Sequence, residues 1–256
     1  MSKPRVAFFD FSCCEGCQLQ VLNLENEILD LLGHIEIVNF REAMTERSDE
    51  YDIAFIEGSI TRAGEISRIR GIRERAKVLV ALGACADLGG INCLNIDKGW
   101  EAGRRKVYGE KAWNYDSVIP RPISQEVKVD YRVPGCPINK YEFLEVCKAL
   151  LMGREPQLPN YPICVECKLR ENVCLFDLGR VCLGPVTRAG CDPICPSFGT
   201  GCIGCRGFID DPNRNAAHDV LAKAGLTVQQ IMDEENLFNN FQLKDVLVRD
   251  VSKAAR

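Results

Sequence analysis

The sequence predicts an α/β fold: a parallel sheet with covering helices, followed by a small irregular cysteine-rich region and short C-terminal helices. Three observations predict it. Up to about residue 155, short apolar runs alternate with stretches whose apolar residues recur at helical spacing, the pattern of strands buried between helices. From Pro156 the composition turns to Pro, Gly and Cys with little periodicity, and eight of the fifteen cysteines fall between Cys164 and Cys205. Beyond Cys205 helical propensity returns. A chain of 256 residues buries one substantial core and a smaller appendage, so the expected organisation is 1–155, 156–210 and a helical tail over 211–256.

Strands are expected at residues 5–9, 35–40, 52–57, 77–82 and 129–133. The first helix, 18–32, places Leu22, Leu29 and Leu32, with Leu19 and Val21 nearby, on a broad apolar face, and Gly33 is its stop signal. A second helix covers 63–75. A third, 140–152, repeats Phe143, Leu144, Cys147, Leu150 and Leu151 at helical spacing. This succession predicts a flavodoxin-like wrap. The stretch 95–122 has a weaker pattern and reads as an insertion whose aromatics, Trp100, Tyr108, Trp113 and Tyr115, act as packing anchors. Between 156 and 210 something other than apolar burial must hold the backbone, and bound metal supplies such a constraint. Helices at 214–224 and 228–235 follow, and the polar end 253–256 is expected to fray.

A formal charge of −4 and a pI near 5.4 leave no basic footprint for nucleic acid. The N-terminus enters a strand-like run directly, and no run of 18 apolar residues occurs, so the chain reads as cytoplasmic with no membrane insertion. Disulfides are rare in that compartment, which turns dense cysteine toward metal or redox work. His34 and His218 are the two histidines, too few for mixed Cys/His zinc sites, and neither has a catalytic companion. Gly83-Ala84-Cys85 is no dinucleotide fingerprint, so NAD, flavin or ATP would belong to partners.

Four cysteines precede the dense block: Cys14, Cys17, Cys85 and Cys136. In open parallel sheets, ligands bind outside the carboxyl ends of the strands, where several loops meet. Cys14 and Cys17 follow the first strand, Glu57-Gly58-Ser59 the third, Cys85 the fourth and Cys136 the last, so all four thiols are expected at one edge. Gly83, Gly89-Gly90 and Gly135 let backbone approach a bulky group there, and amides opening the helix after Cys17 can point at sulfur. Read instead as small core residues, Cys85 and Cys136 would need no metal. The block itself, Cys164, Cys167, Cys174, Cys182, Cys191, Cys195, Cys202 and Cys205, supplies two further four-cysteine sites.

Four thiolates suit zinc or an iron-sulfur cluster. Only Cys14/Cys17, Cys164/Cys167 and Cys202/Cys205 have the close pairing of zinc knuckles. The wide gaps, and the Cys195-Pro196 step that resembles the C-x3-C-P ending of bacterial ferredoxin motifs, favour clusters. Three 4Fe-4S clusters in one small chain form a conducting line for single electrons. Cys93 and Cys147 lack partners at metal spacing and read as buried thiols.

The stretches Ser12-Cys13-Cys14-Glu15-Gly16-Cys17-Gln18-Leu19-Gln20, Phe55-Ile56-Glu57-Gly58-Ser59, Leu82-Gly83-Ala84-Cys85 and Pro134-Gly135-Cys136-Pro137 resemble the small subunit of nickel-iron hydrogenases. The block from Cys182-Leu183-Gly184-Pro185-Val186-Thr187-Arg188-Ala189-Gly190-Cys191 to Cys202-Ile203-Gly204-Cys205-Arg206-Gly207 narrows this to the delta subunit of cytoplasmic sulfhydrogenases and, more loosely, the small subunit of non-F420-reducing hydrogenases. The resemblance implies a flavodoxin-like domain that holds a proximal cluster against a separate large subunit carrying the nickel-iron centre, with a flavin or iron-sulfur subunit as the other partner in a hetero-oligomer. By the family's order, Cys164, Cys167, Cys174 and Cys182 hold a distal cluster and Cys191, Cys195, Cys202 and Cys205 a medial one, although a ferredoxin-style exchange of the fourth ligand stays open. Many periplasmic relatives have histidine as the first distal ligand and proline for one medial cysteine. Here Cys164 and Cys195 imply three four-iron clusters. Cys13 departs from the hydrogenase pattern by making a Cys-Cys pair, which leaves it in competition with Cys14.

The alternatives are a connecting subunit like that of complex I, which needs only the first cluster, and a zinc-thiolate interaction module. Other residues carry two readings each. Glu57 moves protons, meets a subunit or caps the helix after it. Glu15 serves an interface or relays protons. Arg188 and Arg206 raise cluster potentials or make ordinary surface contacts.

Overall fold

The computed structural model describes residues 3–94, 96 and 99–254. Five strands, β1 Arg5–Asp10, β2 Glu36–Phe40, β3 Ile53–Glu57, β4 Val78–Leu82 and β5 Tyr131–Val133, form one sheet in the order β2-β1-β3-β4-β5. All four pairings are parallel. This is the flavodoxin-like order, with its reversal between β1 and β3. The last strand is shorter than the expected 129–133, because Asp130 spends its carboxylate on the Leu79 amide and Arg73.

Side chains alternate across the pleat, so one strand feeds two cores. Val6 and Phe8 of β1 face a cluster covered by helices α1 Gly16–Leu22, α2 Asn26–Leu32 and, later in the chain, Lys140–Leu151. Ala7 and Phe9 face the other layer, where Ile69 and Ile72 of α3 Ala63–Arg75 pack. The first core is centred on rings: Phe8 lies 4.4 Å from Phe40 and 5.0 Å from Phe55, and Phe143 stands 5.2 Å from Phe55, centroid to centroid. Such pairs add about 0.5–1.5 kcal/mol each beyond their burial.

The first helix differs from the continuous 18–32 element. It starts earlier, at Gly16, and breaks at Asn23–Glu25, where Glu25 adopts φ 52°. The break resets the helical phase, so Val21, Leu24 and Leu31 enter the core while Leu29 and Leu19 face solvent. A straight helix through Leu22, Leu29 and Leu32 would have presented a different face.

Beyond β4, α4 Gly83–Leu88 springs directly from the strand and runs into a 3-10 turn at Gly90–Cys93. The insertion then forms α5 Trp100–Tyr108 and a 3-10 turn at Gly109–Asn114. Its aromatics are not core anchors. Tyr108, Trp113 and Tyr115 are all exposed, Tyr108 packs on Tyr115, and Arg104 lies 4.6 Å over Trp100 and 5.1 Å over Trp113. The residue that anchors this stretch is Ala112, fully buried. Asn95, at its expected start, lies outside the described residues.

After α6 Lys140–Leu151 the chain makes two short helices, α7 Cys164–Leu169 and α8 Ile194–Ser197, then α9 Arg214–Lys223 and α10 Val228–Ala254. The region beyond 156 is not held without apolar burial, since Leu183, Val186 and Phe208 form a small core with Ala217, Leu221 and Ile231 of the last two helices. Helix α10 extends far past residue 235, bends at Asn239, and packs on α4 and the Gly90–Cys93 turn. Of the end expected to fray, Lys253 and Ala254 continue the helix and the last two residues lie outside the described ones. No helix among the described residues is long and apolar enough to cross a membrane.

The phase break sets a clear test. Leu24→Ala should cost about 2–5 kcal/mol, as truncating a fully buried leucine does, whereas Leu29→Ala should stay within about 0.5 kcal/mol as an exposed substitution. Denaturant unfolding of the two variants checks it, and equal costs would restore the continuous helix.

Candidate metal centres

The carboxyl edge of the sheet gathers the first cysteines. Cys14 sits in the loop after β1, Cys17 in the first turn of α1, Cys85 in α4 and Cys136 in the loop between β5 and α6. Two glycines make their approach possible. Gly83 has φ 82°, and a Cβ there would overlap the Cys17 sulfur, while a Cβ at Gly90 would fall 2.9 Å from the Cys85 sulfur. The Ala84 amide donates to the Gly135 carbonyl at 2.7 Å, tying the Cys85 helix to the Cys136 loop.

The four thiols crowd one another. Burial pushes Cys85 up to about 12, and the neighbouring Cys136 and Cys14 further disfavour its thiolate. Cys136 is pushed up to about 11 by burial and by Cys205 and Cys14. Cys17 is raised by burial, then by Glu57 and Cys85. Cys13, half-buried, turns the same way: burial, then Glu57, pushes it up to about 12, with Cys85 also contributing.

Glu57 is buried and caps a helix, but not the one that follows it in sequence. Its carboxylate accepts from the amides of Cys17 and Gln18, both at 3.1 Å, and from the Gln18 side chain at 3.2 Å, so it closes the start of α1. Helix α3 is capped by Glu65 instead. Burial raises the Glu57 carboxyl while these hydrogen bonds pull it back. Glu15, at φ 63°, pairs with Arg41, which also holds Asp10 at 3.1 Å.

Beyond residue 160 the cysteines fall into two neighbourhoods. Around Cys164, pushed up to about 11 by burial, the further influences are Cys182, Cys167 and Cys174. A Cβ at Gly184 would lie 3.3 Å from the sulfurs of both Cys164 and Cys182. Cys191, pushed up to about 12 by burial, has Arg206, Cys205 and Cys195 beside it. Cys202 stands between the neighbourhoods: burial raises it, Cys182 and Cys205 add to this, and its amide donates to the Cys182 sulfur at 3.3 Å.

One cavity of about 310 Å3 is lined by Cys191, Cys195, Cys202 and Cys205, and Cys136 of the first group opens into it as well. At about 30 Å3 per water, that is room for roughly ten waters. A tetrahedral zinc site, with Zn–S near 2.3 Å, is closed around a single ion. The donor set fits a multi-atom iron-sulfur core. A thiol raised by burial must lose its proton before it binds a metal ion.

Neither Arg188 nor Arg206 is an ordinary surface contact. Arg188 is 3% exposed and donates to the Pro159 carbonyl at 2.7 Å and to Asp210 at 2.6 Å. Arg206, 1% exposed, donates to the carbonyls of Ala189 and Pro134, each at 2.8 Å, and to Glu142 of α6 at 2.7 Å. It thereby joins the Cys136 loop to the Cys191 loop. Gly190 leaves the room for it, because a Cβ there would meet the guanidinium and the Glu142 carboxylate. Glu142 gave no sign of this role in the sequence, where it is one more polar position on a helix; Gly184 had a signal in its place between two cysteines. Cys93 and Cys147 are buried, as read.

The family described as NADH ubiquinone oxidoreductase, 20 kDa subunit, matches residues 14–150. Sulfhydrogenase 2 subunit delta of Pyrococcus furiosus is 39% identical over 85% of this chain and 92% of its own length. A subunit of the F420-non-reducing vhu hydrogenase of Methanocaldococcus jannaschii is 35% identical over 97% of this chain and 98% of its own. Among solved structures, a chain of an NAD+-reducing nickel-iron hydrogenase in the H2-reduced state superposes with a TM-score of 0.54 and 28% identity, covering 62% of this chain and 96% of that one.

Two outcomes are expected. Gly83→Ala forces a Cβ onto the Cys17 sulfur and should lower the iron and sulfide recovered per chain relative to the wild type, measured after anaerobic purification. Because thiols raised by burial must lose protons to bind metal, reconstitution of the apo-chain with iron and sulfide should be faster and more complete at pH 8.5 than at pH 7 and should release protons; uptake independent of pH would contradict the raised thiols.

Proposed function

The chain belongs to the 20 kDa-subunit family, among the hydrogenase small subunits, and we propose that it is the electron-transfer subunit of a cytoplasmic nickel-iron hydrogenase. Cys14, Cys17, Cys85 and Cys136 hold the proximal 4Fe-4S cluster, Cys191, Cys195, Cys202 and Cys205 the medial one, and Cys164, Cys167, Cys174 and Cys182 the distal one. A large subunit carries the nickel-iron centre, and a flavin or iron-sulfur subunit takes or supplies the electrons at the far end. The observation that carries this reading is the shared cavity, in which Cys136 of the first group meets the four thiols of the medial group. Adjacent sites of this kind form a line, and a line of one-electron centres has a use only in transfer.

Each cluster, when bound, accepts and releases single electrons. The residues around it do the remaining work. The glycines at 83 and 90 admit it, the cysteine thiolates orient it, and Arg206 fixes the spacing between the Cys136 and Cys191 loops. Cys14 is the preferred ligand over Cys13, since Cys14-x2-Cys17 keeps the hydrogenase spacing with its Gly16 and Cys14 neighbours both Cys85 and Cys136. Hydrogen chemistry belongs to the large subunit, and the exposed Cys14 and Cys136 mark the edge where that subunit docks.

The relatives that match over nearly their whole length are hydrogenase subunits, which favours this over a complex I-like connecting role. Anaerobic metal analysis of the protein with its co-purifying partners should give about 12 iron and 12 sulfide per chain, the sum for three four-iron clusters, with nickel following a larger subunit. Zinc without sulfide would sink the relay and leave a thiolate-stapled interaction module.

A further inference from the structure

Helix α10 presents a polar stripe that a helix on the outside of a protein would turn to water. Glu235, Asn239 and Gln242 follow one another at i, i+4 and i+7 and therefore share a face. Here that face is turned inward, with Glu235 and Asn239 each 0% exposed. Glu235 binds Arg214 at 2.7 Å and His218 at 3.0 Å, both on α9. Gln242 takes the Phe208 amide at 2.8 Å. Asn239 reaches further in: its side-chain amide donates to the Gly204 carbonyl and to the Glu235 carbonyl, each at 3.3 Å.

Gly204 lies between Cys202 and Cys205 and has φ 78°, and a Cβ on it would stand 2.8 Å from the Asn239 amide nitrogen. The loop and the asparagine are therefore fitted to each other. Two carbonyls fix the orientation of the carboxamide, and its oxygen, buried, has no hydrogen-bond donor among the described residues. An unpaired buried carbonyl is costly, and helix α10 leaves regular geometry at this same residue, with φ −107° and ψ 20°. A residue serving only the helix would need neither. Immediately before it, Leu237 and Phe238 form an apolar cluster with Ala84 and Leu88 of the Cys85 helix and with Cys205. One bend in α10 thus touches an element from the first cysteine group and one from the medial group.

We propose that Asn239 is a positioning residue of the electron relay, which holds the Cys202–Cys205 loop through the Gly204 carbonyl while the bend of α10 packs Leu237 and Phe238 against the Cys85 helix and Cys205. The inference rests on the relay reading above. In it the C-terminal helix acts as a cover that sets the polarity of one site out of three, beyond lending stability to the end of the chain.

The test uses the assembled complex, purified without oxygen, and follows each cluster by redox titration with electron paramagnetic resonance. Asn239→Asp replaces the amide donor with a carboxyl group facing two carbonyls; titrated at a pH high enough to ionise it, since burial raises such a carboxyl, it adds negative charge beside one site, which favours the oxidised cluster. At fixed potential the reduced-to-oxidised ratio should fall about tenfold for a single cluster, the one whose signal disappears in Cys195→Ser, a shift of about 59 mV for one electron. The other two should not move. Should Asn239→Asp fail to assemble, Asn239→Ser, which is too short to reach the Gly204 carbonyl and adds no charge, should still shift that cluster alone. Unchanged potentials in an assembled variant whose wild type shows three clusters would overturn the role of Asn239 and leave the relay standing. A wild-type complex without three clusters would overturn both.

Discussion

A single buried guanidinium ties the sheet to the cysteine-rich region. Arg206 spends its donors on the Pro134 carbonyl beside Cys136, the Ala189 carbonyl beside Cys191, and the Glu142 carboxylate on α6. A charge taken out of water is costly unless it is paired and fully hydrogen-bonded, and removing one partner of such a pair typically costs about 3–5 kcal/mol. The geometry around Arg206 leaves little freedom, since Gly190 must lack a side chain for the guanidinium to pass. What this arrangement secures is distance. The loops bearing Cys136 and Cys191 come from different regions, the sheet and the cysteine-rich block, and they line one cavity with Arg206 bound to the backbone of both.

Around that joint, the thiols pose an electrostatic problem that burial makes worse. Cysteines packed against one another in a poorly solvated edge cannot all ionise, and the raised Cys85, Cys136, Cys164 and Cys191 thiols express this. The same crowding is what a cationic core relieves, so assembly of the sites and completion of the fold are linked processes. Glu57 adds to the strain and to the order at once. It lies among the thiols as a further acid, yet it is the cap that starts α1 and so places Cys17.

Much of this was legible in the residues. The strand runs, the carboxyl-edge rule and the loop positions were enough to expect Cys14, Cys17, Cys85 and Cys136 at one edge, because strand direction in a parallel sheet leaves no other arrangement. Helix phase was less legible. Leu29 and Leu32 match a helical period as well as Leu24 and Leu31 do, and only the turn at Glu25 decides which pair enters the core. The aromatics of the insertion looked like anchors because large apolar rings usually are, but Trp100, Trp113 and Arg104 satisfy one another at the surface.

By itself, the sequence determined the sheet, the order of its loops and the identity of the thiols, since these follow from local period, strand direction and the placement of cysteine and glycine. Only the tertiary structure decided which polar side chains were to be buried. Arg188, Arg206, Glu142 and Asn239 are chemically ordinary surface residues until distant hydrogen-bond partners surround them. Their partners lie tens of residues away, and a hydrogen bond between groups so far apart leaves no periodic trace in the chain that makes it.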